Sequence, residues 1–204
     1  YWYLAHSYFR ISDYSSAIDY VQKSIELKKP DKLNLSFLAE IYLQANRYED
    51  SIKIFQEILK IDNNNINALF NLGKINIQIG SIEKAEKIYN KIIEIDSSNL
   101  ATWYELIKIN KKYLTLNLIE ITKKNINSEN LNNVYGELIL AEESNVKKKF
   151  DNEISHLIAA HTNFLKKKQK AAKQEMNYFS NLLPQFINKI RDLNFVTKCD
   201  AKPI

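Results

Sequence analysis

Few side chains in this sequence can move protons, attack an electrophile or hold a metal. They are His6, His156 and His161, the single Cys199, and the adjacent carboxylates Glu142 and Glu143. Two histidines share a metal on a helix when three or four residues separate them. His156 and His161 are five apart, which turns them to different faces. All three histidines are therefore read as structural. Cys199 has no Cys or His neighbour at ligand spacing and no partner for an internal disulfide, so it is an inert thiol of the kind a reducing cytoplasm maintains. Glu142-Glu143 reads as a solvated charge pair at a helix end. There is neither a Gly-rich phosphate loop nor a nucleophile elbow. The expectation for residues 1–204 is no catalytic residue, no cofactor-binding residue and no metal site, so function must come from binding.

Charge is the next place to look for a ligand. The net charge is +5, and it is uneven: residues 1–100 carry 12 basic and 13 acidic side chains, residues 101–204 carry 17 and 11. The excess lies in the runs Lys111-Lys112, Lys123-Lys124, Lys147 to Lys149, and Lys166 to Lys168 with Lys170 and Lys173. These runs lack the Arg and interleaved aromatics that give bidentate phosphate contacts and base stacking. They are read as solvated helix faces, with no nucleic-acid partner. No stretch of eighteen apolar residues exists, so no membrane partner is expected. With no signal-peptide layout at the start, the expected location is cytoplasmic.

The elements that carry these residues are helices. Gly and Pro number three each, hydrophobic residues make up 45% and charged residues 26%, and no strand-like alternation is sustained. That composition predicts an ordered, all-helical chain. Its organising unit runs from Ile66 to Asn99, with Leu69, Leu72, Gly73, Ala85 and Tyr89 at positions 4, 7, 8, 20 and 24. Thirty-four residues earlier stand Leu35, Leu38, Ala39, Ser51 and Phe55, and 34 before those Tyr1, Leu4, Ala5, Ala17 and Val21. Apolar residues at i, i+3, i+4 and i+7 in each half-unit give one helical stripe. The small residues Ala5, Ala39 and Gly73, and Ala17, Ser51 and Ala85, sit where two helices must cross closely. Ser12, Asn46 and Gly80 mark the turns between paired helices, and Asp13 and Ser81 are candidate caps of the second helices.

This spacing resembles the tetratricopeptide repeat (TPR). The resemblance implies an all-α, right-handed superhelical TPR solenoid of antiparallel helix pairs, followed by a degenerate helical hairpin and C-terminal helices. It also implies a concave face, lined by the first helix of each repeat, that holds a protein or peptide. Carried onto this sequence, the partner-binding positions are Tyr3, His6 and Arg10 in the first repeat and Phe37, Glu40 and Gln44 in the second. They continue as Phe70, Asn71, Lys74 and Gln78 in the third and Tyr104 and Lys108 in the fourth. Trp2, Leu33, Ser36 and Asn67 fall at further concave positions. The family's clamp for a terminal carboxylate needs basic and Asn residues there. Only Asn71 fits, while Glu40 and Glu105 oppose it.

The repeats occupy residues 1–31 (partial), 32–65 and 66–99, and a fourth starts at 100, giving a TPR array over 1–113. Ile107 takes the small-residue position of that fourth unit. Leu114 to Glu129 reads as an irregular link rather than its second helix. Residues 114–194 are assigned to a degenerate repeat and linker helices. Leu131, Val134, Tyr135, Leu138 and Ala141 form one stripe, a break follows at Ser144-Asn145, and Phe150, Ile154, Leu157, Ile158, His161 and Leu165 form a second stripe. A further helix is expected from about Lys167 to Asn181 and another around Pro184 to Ile190, with an extended exit over 195–204. Ala141-Glu142-Glu143, the helix through His161, the helix near Ile190 and the exit Lys202-Pro203-Ile204 resemble the linker region of bacterial TPR-containing sulfotransferases. The resemblance implies a fragment whose own C-terminal catalytic domain follows Ile204 and uses 3′-phosphoadenosine 5′-phosphosulfate (PAPS) as co-substrate. A free-standing TPR adaptor that assembles a multiprotein complex is the alternative reading.

Overall fold

A computed structural model of the chain describes residues 1–27, 32–126 and 132–177, and every regular element among them is helical. The helices expected beyond Asn177, the exit over 195–204 and Cys199 lie outside the described residues. The chain divides into two compact units, Tyr1–Ser128 and Glu129–Ile204.

In the first unit, helices pair in sequence: α1 (Trp2–Arg10) with α2 (Tyr14–Leu27), α3 (Lys32–Gln44) with α4 (Tyr48–Ile61), and α5 (Ile66–Gln78) with α6 (Ile82–Ile95). Each pair then packs on the first helix of the next. One buried cluster joins Ala5, Ala17 and Val21 to Phe37, Leu38 and Ile41. The next joins Ala39, Phe55 and Ile58 to Ala68, Leu72 and Ile75, and a third joins Leu69, Ala85, Tyr89 and Ile92 to Leu106. A helix flanked on both sides must be apolar around most of its circumference. This is why α3 buries eight of its residues, from Asn34 to Leu43, while α6 buries only Ala85, Tyr89 and Ile92.

The small residues do what their spacing predicts. Ala5, Ala39, Ala17, Ser51 and Ala85 are completely buried. The Ser51 hydroxyl donates to the Ala39 carbonyl at 2.8 Å across the crossing of α3 and α4, so a polar side chain is satisfied in the core. A Cβ on Gly73 would lie 2.3 Å from Cε1 of Tyr89, so the ring occupies the place of the missing side chain.

The turns repeat on the same ruler. Ser12 (φ 62°), Asn46 (φ 58°) and Gly80 (φ 79°) all adopt the left-handed conformation. The following N–H reaches back over the helix end, from Asp13 to the Tyr8 carbonyl (3.0 Å), Arg47 to Tyr42 (2.8 Å) and Ser81 to Asn76 (2.7 Å). This geometry satisfies carbonyls that a helix C-terminus leaves open. At the fourth equivalent place stands Leu114, for which a left-handed backbone would cost about 1–2 kcal/mol. The chain takes another route there. α7 (Leu100–Ile109) stops three residues early, Asn110 is extended (φ −153°), and its side chain accepts the Lys112 N–H at 2.9 Å to start a 3₁₀ turn over Lys111–Tyr113. Leu114 then sits at φ −78°.

Beyond this turn the expected irregular link is corrected. Leu116–Asn125 forms a helix, α8, that starts 34 residues after α6 and buries Leu118, Ile119 and Thr122. The apolar spacing was present, but Ile107 and Ile119 replace both small residues of the pair. The two are buried, and the close packing of the first three pairs is not repeated between α7 and α8. Caps also depart in part from expectation. Asp13 accepts the Ser16 N–H (3.1 Å) and hydroxyl (2.7 Å) at the start of α2, whereas the Ser81 side chain makes no capping bond. The first helices are capped instead by residues of the polar turns. Asn65 accepts from the Ala68 N–H (3.0 Å) and Asn99 from the Thr102 N–H (3.1 Å), while among the second helices α8 is capped by Thr115, which accepts from the Leu118 N–H (3.2 Å).

The second unit is a helical hairpin of α9 (Asn132–Val146) and α10 (Phe150–Asn177), turned at Lys148 (φ 55°). Two expectations change here. Ser144-Asn145 lies within α9, and α10 is one helix where a boundary near Lys167 was expected. α9 meets α10 through Ala160, through Glu137 on His156 (2.6 Å) and through Asn145 on Glu153 (2.9 Å). These residues lie on a different face from Phe150, Ile154, Leu157, Ile158 and Leu165, which remain exposed. α9 buries Ile139, Leu140 and Ala141, whereas the apolar stripe of α10 stays exposed.

Candidate functional site

The first helices α1, α3 and α5 together form a groove with a cavity of about 450 Å³, lined by Trp2, His6, Leu33, Ser36, Phe37, Glu40, Asn67, Phe70 and Asn71. Its first wall is an aromatic stack. The His6 ring lies parallel to Phe37 (3.9 Å between centroids, 8°), Trp2 stands edge-on to both (4.7 and 5.1 Å), and Phe9 supports Phe37 at 5.4 Å. Residues one helical turn apart share a face, which places Trp2 and His6 together on α1. Burial pushes the pKa of His6 down, because an imidazolium would lose solvation there. The opposite wall is Phe70, whose ring packs against Tyr89 at 5.8 Å and so ties the groove to the core.

Polar groups complete the lining. Asn71 Nδ2 donates to both the carbonyl and Oδ1 of Asn67, each at 3.0 Å. The Asn71 donor group is thus engaged, while its side-chain oxygen accepts no hydrogen bond among the described residues. Glu40 is exposed and makes no ion pair or hydrogen bond among the described residues. The cavity therefore offers aromatic surface and hydrogen-bond acceptors, and neither lysine nor arginine lines it.

Of the twelve residues assigned to the partner face from sequence, the structure brings His6, Phe37, Glu40, Phe70 and Asn71 around this cavity. Trp2, Leu33, Ser36 and Asn67 join them, all at the further concave positions. Tyr3 is 74% exposed on α1 and outside the cavity wall. Arg10, Gln44, Lys74 and Gln78 are exposed toward the C-terminal ends of α1, α3 and α5. Tyr104 and Lys108 form a separate group on α7, where Lys108 Nζ contacts Glu105 at 2.7 Å and lies 5.6 Å from the Tyr104 ring centroid.

One cluster escaped sequence reasoning. The Tyr113 hydroxyl donates to Glu86, Lys112 Nζ lies 2.8 Å from the same carboxylate, and Asn90 Nδ2 donates to the Tyr113 oxygen at 3.1 Å. Lys112 first, and then Tyr113, hold the Glu86 carboxyl below its usual range. This clasp joins α6 to the 3₁₀ turn. Its partners are 23 to 27 residues apart, so no local pattern announces it. No group of three or more His, Cys, Asp or Glu side chains suited to a metal occurs among the described residues, and none of their helices is long and apolar enough to cross a membrane.

Comparison with known proteins agrees with this geometry. Residues 31–98 match the tetratricopeptide repeat family. Among solved structures, the fold is similar to nearly identical TPR-like repeats from Podosopora anserina (TM-score 0.57, 14% identity, 81% of this chain and 93% of that one). It is likewise similar to MamA (TM-score 0.53, 16% identity, 81% and 97%) and to a tetratricopeptide repeat protein from Parabacteroides merdae (0.53, 15%, 86% and 76%). No curated protein matches the chain in sequence. The sequence ruler, the nested helix pairs and the family match together identify residues 31–98 of this chain as tetratricopeptide repeats.

Proposed function

We propose that the first unit is a scaffold that binds a peptide segment of a partner protein in the groove of α1, α3 and α5. The observation that carries this reading is the cavity itself: aromatic side chains from three successive repeats, with acceptors between them, on one face. A cavity of about 450 Å³ suits a few side chains. Anchors of this kind let a helix or an extended peptide dock by its apolar residues. Selection of random displayed peptides on the full chain tests the proposal. Selected peptides are expected to lose binding to Phe70→Glu and Trp2→Ala while far-ultraviolet circular dichroism of both variants stays unchanged. Binding that neither substitution disturbs refutes it.

The finer reading, that this scaffold is the substrate-recruiting arm of a PAPS-dependent sulfotransferase, rests on the layout of the C-terminal third and on that alone. The coding sequence downstream of Ile204 is its test. A strand followed by a phosphate-binding loop supports the enzyme arm. A stop codon or more repeats supports the free-standing adaptor.

A further inference from the structure

Resting on the peptide-binding reading, we infer that the groove selects a dipolar peptide: a Lys or Arg side chain set against Glu40, apolar residues between the aromatic walls, and an Asp or Glu side chain reaching Lys74. Two charges on this face are left without a partner among the described residues. His6, Glu40 and Lys74 occupy equivalent places, 34 residues apart, on successive first helices, so they form a row across the repeats. His6 is kept toward its neutral form by burial. Glu40 and Lys74 are both exposed, and neither has an ion-pair or hydrogen-bond partner among the described residues. Nearby charges that could serve the same role are already engaged. Lys32 is held by Asp62 at 3.1 Å, and Lys108 by Glu105 at 2.7 Å.

The uncharged lining has the same polarity. Asn71 uses its amide donor on Asn67, which leaves its side-chain oxygen as an acceptor in the cavity that Glu40 also lines. Acceptors and ring faces favour an ammonium or guanidinium group, which also gains from cation–π attraction. Lys74 lies one helical turn beyond Phe70 on α5, outside the cavity wall, where an anionic side chain of the same peptide would meet it. A terminal carboxylate or an acidic segment seated at Glu40 would be repelled, so the groove discriminates by rejecting the wrong sign as well as by attracting the right one.

The experiment is a random-peptide selection on the full chain, run in parallel on the wild type and on the charge-reversed variant Glu40→Lys/Lys74→Glu. The wild type is expected to enrich peptides with a basic residue, an apolar pair and an acidic residue, and the reversed variant to enrich the opposite order. For a selected peptide, Glu40→Gln should weaken binding about three- to five-fold at low salt, and less at high salt, as expected for an exposed pair. Both positions are exposed, so the fold should tolerate the changes. Should the double variant fail to fold, Glu40→Gln and Lys74→Gln give the same reading singly. Groove-dependent peptides without a basic residue, or the same peptides from both proteins, overturn this inference and leave the groove reading standing. If Phe70→Glu disturbs no selected peptide, both fall.

Discussion

Gly73→Ala probes the packing that organises the first unit. The new Cβ would lie 2.3 Å from Cε1, 2.7 Å from Cζ and 2.9 Å from Cδ1 of Tyr89. An ordinary contact needs more than an additional ångström. The ring is completely buried in the cluster of Leu69, Ala85, Ile92 and Leu106 and has little room to retreat. Overpacking of this kind costs about 1–3 kcal/mol, and so severe an approach belongs at the upper end. Replacing a mid-helix glycine by alanine returns about 1 kcal/mol of helix propensity. The net expectation is a loss of about 2 kcal/mol, or a melting temperature lower by roughly 4–8 °C for a chain of this size. Urea unfolding followed by circular dichroism and tryptophan fluorescence measures it, with Trp103 reporting directly because it packs on that cluster. The decisive comparison is a double-mutant cycle with Tyr89→Val, which imitates the Ala5/Val21 pair of the first repeat. With the ring gone, Gly73→Ala should become neutral or stabilising by up to about 1 kcal/mol. An equal cost in both backgrounds would refute the idea that glycine is there to admit the ring.

Further outcomes follow from single groups. The Tyr89 hydroxyl is buried without a hydrogen-bond partner among the described residues, and its pKa is pushed far up by burial first and Glu105 second. Tyr89→Phe should therefore raise unfolding stability, by about 1 kcal/mol, in the same urea assay. Asn65→Ala and Asn99→Ala each remove a cap and should cost about 1 kcal/mol, whereas Ser81→Ala, which removes none, should change melting very little. Ser12→Gly should stabilise by about 0.5–1 kcal/mol because its backbone is left-handed, and Gly80→Ala should destabilise by a similar amount, both read from thermal melts. Stability should also depend on pH through His6. Its folded pKa is lowered below 6.5, so the unfolded chain binds the proton first, and stability is lost as pH falls from 6.5 through the folded value. His6→Phe should flatten that part of the curve.

Much of this architecture is legible in the amino acids because a repeat writes each packing requirement three times. Ala5, Ala39 and Gly73 announce the helix crossings, and Ser12, Asn46 and Gly80 announce the turns. Small volume and left-handed backbone are demands that few residue types meet. The five predicted residues at the groove were reachable for the same reason, since a fixed interval places them on one face. What could not be read is what depends on where the ruler fails. Leu114 disfavours the usual turn, and the alternative turn, the early end of α7 and the clasp of Glu86, Lys112 and Tyr113 are settled by atoms distant in sequence. The same holds in α10. Its apolar stripe is plain in the sequence, yet the face that meets α9 holds Ala160 and His156, the latter paired with Glu137. Spacing along the chain alone determined that there would be nested helix pairs, because period is a local property. Which groups remained unpaired among the described residues, Glu40 and the Asn71 side-chain oxygen included, was decided only when neighbouring helices came together, because satisfaction of a charge or a lone pair is a property of three-dimensional proximity.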